Sequence, residues 1–77
     1  MTATLDVDLH VEALFVSDVQ RSQHPTAELV RAVVASTEDR LGKTGCAGLV
    51  AQEFGDHPDC ACHRMEWAIA AVHDAFA

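Results

Sequence analysis

Five residues able to bind a soft metal lie close together in the chain: Cys46, His57, Cys60, Cys62 and His63. Thiolates with imidazole suit zinc, copper(I) or an iron-sulfur cluster. Their spacing does not fit a standard finger, because there is no Cys-x-x-Cys pair. On a helix, Cys60 and Cys62 are separated by about 200°. Only an unwound turn would let Cys60, Cys62 and His63 meet one ion with Cys46, so the first expectation is no metal and no cofactor. A zinc, iron-sulfur or thiol-redox sensor built on Cys46, Cys60, Cys62 and His63 is the alternative. Free cysteine is a small, often buried hydrophobe, which suits Cys46. At the start of a helix, Cys60 and Cys62 are exposed and placed for reactivity.

No enzyme constellation assembles. A nucleophile elbow, a phosphate-cradling glycine loop, His-Glu-x-x-His and paired catalytic carboxylates are all missing from the sequence. His10, His24 and His73 fall in separate elements and read as solvated or edge residues. Trp67 lies off the main stripe of its helix, so it either packs on the first helix or marks a contact surface.

The elements that position these groups follow from periodicity and breakers. Asp6 and Asp8 suit the positive end of a helix carrying Val7, Val11, Leu14, Phe15 and Val19, giving helix over 8–19 with residues 1–7 loose. Pro25 pushes His24 out of the helical region and suits the start of a second helix, which Thr26 can cap. Leu29, Val30, Val33, Val34, Thr37 and Leu41 form its apolar stripe over 26–41, with Gly42 as a left-handed stop. Lys43, Thr44 and Gly45 read as a polar link to a third helix over 46–54, ended by Gly55. Asp56-His57-Pro58-Asp59 is a tight turn into a fourth helix over 59–76. That helix is expected to bury Ala61, Met65, Ala68, Ile69, Val72 and Phe76. The fold class is therefore all-α, a small four-helix domain whose last two helices form a helix-turn-helix.

That last pairing carries a specific pattern. A helix-turn-helix needs a small residue where the helices cross, a glycine at the turn and apolar residues closing the angle. Ala51 supplies the small contact, Gly55 the turn, and Val50, Phe54, Ala61 and Met65 the wedge. The stretch from Val50 to Ala68 resembles the DNA-binding helix-turn-helix of sigma factor region 4, particularly the extracytoplasmic-function type. The matching positions are Val50, Ala51, Phe54, Gly55, Ala61, Arg64, Met65 and Ala68. The resemblance implies that the start of the last helix enters the major groove, with Cys60, Cys62 and His63 nearest the bases and Arg64 on phosphate or bracing the fold. The sequence departs from the pattern at Cys60, where threonine or serine is common, and at Asp56, where an apolar residue is usual. Asp59 and Glu66 also place acids on the exposed face. Without DNA, helix-turn-helix geometry is also a common way to pack a bundle, and Arg64 would then pair with an acid such as Glu28 or Glu53.

Composition bounds these readings. Seventy-seven residues make one domain, 1–77, and 49% are apolar. Many of these are alanines, so the core stabilises modestly and a homodimer or a docked partner would help. Twelve acids face five Lys and Arg, for a net charge of -7. That balance opposes unaided binding to nucleic acid or an anionic membrane and permits a basic partner surface. The opening residues lack a signal-peptide pattern, no long apolar run exists, and three cysteines are too few for a disulfide framework. A cytoplasmic location is expected, without membrane insertion. The leading expectation is a transcription-associated DNA-binding regulator, and the alternative is an acidic protein-interaction module or adaptor without DNA contact.

Overall fold

The computed structural model describes residues 2–77, with side chains described from Val7 onward. Every regular element is helical: α1 (Thr2–Val16), one turn of 3-10 helix (Arg21–Gln23), α2 (Ala27–Asp56) and α3 (Pro58–Ala75). The all-α expectation holds, but the boundaries differ from those read off the sequence.

α1 begins six residues earlier than Asp8 and ends before Val19. Nothing in Thr2 to Asp6 stops a helix, since the first glycine or proline of the chain is Pro25. At the other end, the Ser17 hydroxyl donates to the Leu14 carbonyl at 2.7 Å and accepts from the Val19 amide at 3.3 Å. A hydroxyl bonding locally to backbone competes with the next helical turn. Val19 leaves the helix yet stays buried, at 8% exposure.

The break before α2 is made by side chains of the segment itself. The Gln20 amide donates to the Gln23 side chain at 2.6 Å, and His24 takes left-handed angles (φ 49°, ψ 58°) immediately before Pro25. Thr26 then caps α2, its hydroxyl accepting from the Leu29 amide at 3.1 Å.

The polar link expected at residues 43–45 is helical instead. α2 bends at one residue, Gly42, whose φ of 70° and ψ of 178° are non-helical. This combination is open almost only to glycine, so one residue turns the chain where three were expected. Gly45 lies inside the renewed helix, and a Cβ there would come 3.1 Å from the Leu41 Cβ. Gly55 is likewise helical rather than left-handed, Gly42 being the positive-φ glycine among the described residues. The turn falls two residues later at His57 (φ -139°, ψ 66°), because Pro58 disfavours helix in its predecessor and then opens α3 as its first residue.

The three helices converge on one core. α1 contributes Val11, Ala13, Leu14 and Phe15; α2 contributes Val30, Val34, Thr37 and Cys46; α3 contributes Ala61, Ala68, Val72 and Ala75. Alanines at four of these positions bring the helices close, and Phe15 stacks on Phe54 with centroids 5.9 Å apart. Ile69 and Phe76, expected in this core, are 44% and 39% exposed, and Leu29 is 42% exposed. No helix among the described residues is long and apolar enough to cross a membrane.

Candidate functional site: the last helix and its arginine

The start of α3 presents Asp59, Cys60, Cys62 and His63 to solvent and turns Ala61 into the core. Cys46 is fully buried, while Cys60 and Cys62 are exposed, so the candidate ligands Cys46, Cys60, Cys62 and His63 are not brought together. Among the described residues no group of three or more His, Cys, Asp or Glu side chains could hold a metal ion. Burial, followed by the nearby carboxylates of Glu12 and Glu38, pushes the Cys46 thiol above its ordinary pKa, and Arg40 opposes them.

Arg64 turns inward. Its Nε donates to the Phe15 carbonyl at 2.7 Å, and its Nη2 lies 3.3 Å from the Leu14 carbonyl and 2.9 Å from those of Ser17 and Val19. These carbonyls belong to the last turn of α1 and the chain leaving it, which have no further helical amides to bond. A cation there also complements the negative end of the α1 dipole. The guanidinium carbon sits 5.0 Å from the Trp67 ring centroid and 5.8 Å from that of Phe15. Burial lowers the Arg64 pKa from its ordinary value and Glu53 opposes this shift, but a guanidinium remains cationic. In place of the alternative pairing with a surface acid, Arg64 bonds backbone carbonyls.

The other helix-turn-helix positions divide. Ala61 is buried, and Val50, Phe54 and Met65 are half-buried. Ala51 is exposed, so it is not the small residue at a helix crossing, and Gly55 is exposed within α2. His57 is the single residue between the end of α2 and the start of α3.

Two ties escaped the sequence reading. Arg31 donates from Nη1 to the Ala75 carbonyl at 2.8 Å, closing the end of α3 from α2. His10 of α1 pairs with Glu38 of α2 and stacks on Phe76 with centroids 4.4 Å apart. The signal available for the first was the chemistry of a helix end, which needs a donor or a cation from elsewhere.

Beside Arg64 lies an open cleft of about 420 Å³ lined by Gln20, Arg21, His63, Arg64 and Trp67. Trp67 therefore faces the segment between α1 and α2 and forms a wall of this cleft. Comparison with protein-family models, curated proteins and solved structures returned no match.

Proposed function

We propose that this chain is a small acidic protein-interaction module that offers the outer face of α3 to a basic partner surface. The observation that carries the reading is the charge left on that face once Arg64 is engaged behind it. Asp59, Glu66 and Asp74 are exposed on α3, and the helix has no other Arg or Lys. A nearby anionic duplex is repelled by such a face, whereas a lysine- or arginine-rich helix is attracted and oriented by it.

The DNA-binding reading, drawn from the likeness to sigma factor region 4, would place Cys60, Cys62 and His63 at base edges with Arg64 on phosphate. There Arg64 is already engaged through Nε and Nη2 with four carbonyls of α1 and the chain leaving it, which leaves only Nη1 for a phosphate. The interaction reading does not call on Arg64.

Asp59→Asn combined with Glu66→Gln separates the two. A lysine-rich amphipathic peptide, followed by fluorescence anisotropy, is expected to bind the native protein and to weaken with the double variant. A mixed-sequence DNA duplex is expected not to bind even at about 50 mM salt, where phosphate contacts are strongest. Duplex binding that falls steeply toward about 200 mM salt and tightens in the double variant would restore the DNA reading.

A further inference from the structure

We propose that the cleft beside Arg64 is a binding site for a small organic carboxylate, one negative charge carried on a flat apolar body. Two of the chain's five Lys and Arg, Arg21 and Arg64, line this one cleft together with Gln20, His63 and Trp67. No carboxylate lines it among the described residues, in a chain with twelve acids. Its volume of about 420 Å³ falls within the range of small-molecule sites.

Arg64 is prepared for this role by the bonds that hold it. Nε and Nη2 are fixed on carbonyls of α1 and the chain leaving it, and the guanidinium carbon lies 5.0 Å from the Trp67 ring centroid. Arginine has five N–H donors, and Nη1 makes no hydrogen bond among the described residues. Nor is Nη1 sealed away, since no buried side-chain nitrogen or oxygen among the described residues lacks a partner. An anchored guanidinium with an open amino edge loses little freedom on binding an anion. The Trp67 ring offers a flat apolar wall beside it.

One charge fits better than two. The chain's net charge of -7 opposes a dianion, and Glu53 lies close enough to Arg64 to act on its charge. An apolar body recovers through Trp67 what the field of the protein withholds from a bare multivalent anion.

Trp67 is the sole tryptophan, so its fluorescence reports on the cleft directly. Titration with sodium benzoate is expected to give a saturable change, and Arg21→Gln and His63→Gln, both at exposed residues, test the walls without disturbing Arg64. Arg21→Gln is expected to weaken benzoate about tenfold, the effect of losing one charge-assisted contact. Benzamide, with the same ring and no charge, and inorganic phosphate are expected to give no saturable change. The proposal is overturned by a linear benzoate response, by benzamide binding as well as benzoate, by phosphate competing equally, or by unchanged affinity in both variants.

Discussion

Burying part of a guanidinium requires acceptors that lack donors of their own, and the end of a helix supplies such carbonyls in a cluster. Arg64 answers the end of α1 in this way, from a position 45 to 50 residues further along the chain. Arg64→Met keeps the aliphatic contact but leaves the carbonyls of Phe15, Ser17 and Val19 without this donor. We expect a loss of about 2–4 kcal/mol in urea unfolding, with Arg64→Lys recovering only part because an ammonium cannot reach both sides of the turn. A loss below about 0.5 kcal/mol for the methionine variant, the usual scale of a surface change, would mean that the carbonyls are satisfied by water. The sequence singled out Arg64 and left it between phosphate contact, bracing and a surface ion pair. Its actual partners are backbone atoms, which no residue type announces.

Cys46 gives a second test at the same scale. Its thiol is fully buried, and desolvation raises its pKa in the folded chain. The folded state thus holds the proton to higher pH than the unfolded state does. The associated stability is complete below the unfolded thiol's value, about 8.5, and is lost as pH rises through the folded value. Melting temperature should therefore fall between about pH 8 and pH 10 in the native protein. Cys46→Ala starts from a lower melting temperature because it leaves a small cavity, and its slope over that range should be shallower. The absence of tyrosine removes one competing titration from this window. Parallel slopes in the two proteins would show that Cys46 does not govern the decline.

At the scale of elements, two glycines that looked alike in sequence behave oppositely. Gly42 holds φ at 70° with nothing within 4 Å of an added Cβ, so Gly42→Ala strains only the backbone. That should destabilise by about 1–3 kcal/mol. Gly55 is helical, exposed and equally open, so Gly55→Ala should stabilise by about 0.5–1 kcal/mol. Thermal melts of the pair decide the position of the chain's bend, and a reversal of the two signs would return the left-handed turn to Gly55. The helices themselves were legible because Val30, Val34 and Thr37, or Ala61, Ala68 and Val72, repeat at helical spacing. Pro25 and Thr26 likewise fixed one helix start. The boundaries near Gly42 and Gly55 were less legible: glycine permits a turn without requiring one, and Pro58 imposed the turn at His57. Ala51 misled for a related reason, since a small residue fits a helix crossing and an exposed helix face equally well. The exposed face of α3, by contrast, was readable residue by residue from its acids, whereas the inward turn of Arg64 was not.

Over the whole molecule, each helix is tied to another by a polar or aromatic side chain: Arg64 closes α1 from α3, Arg31 closes α3 from α2, and His10 joins Glu38 and Phe76. These ties consume cations without neutralising acids, because two of them end on carbonyl oxygens. Among the described residues the one acid met by a basic side chain is Glu38, by His10. The remaining charge, -7 on a body about 30 Å in its longest dimension, is therefore mainly self-repulsive. At about 10 mM ionic strength the screening length is roughly 30 Å, so acids across the entire molecule act on one another; at about 150 mM it is roughly 8 Å and only neighbours do. The unfolded chain spreads the same charges further apart, so salt relieves the folded state more. Raising sodium chloride over that range should increase the melting temperature by several degrees, since about 1 kcal/mol corresponds to roughly 4–8 °C in a domain of this size. A fold held by surface ion pairs would respond in the opposite direction, because screening weakens attraction as readily as repulsion. A fall in melting temperature with added salt would therefore assign this molecule's stability to charge pairs rather than to capped helix ends and an alanine-rich core.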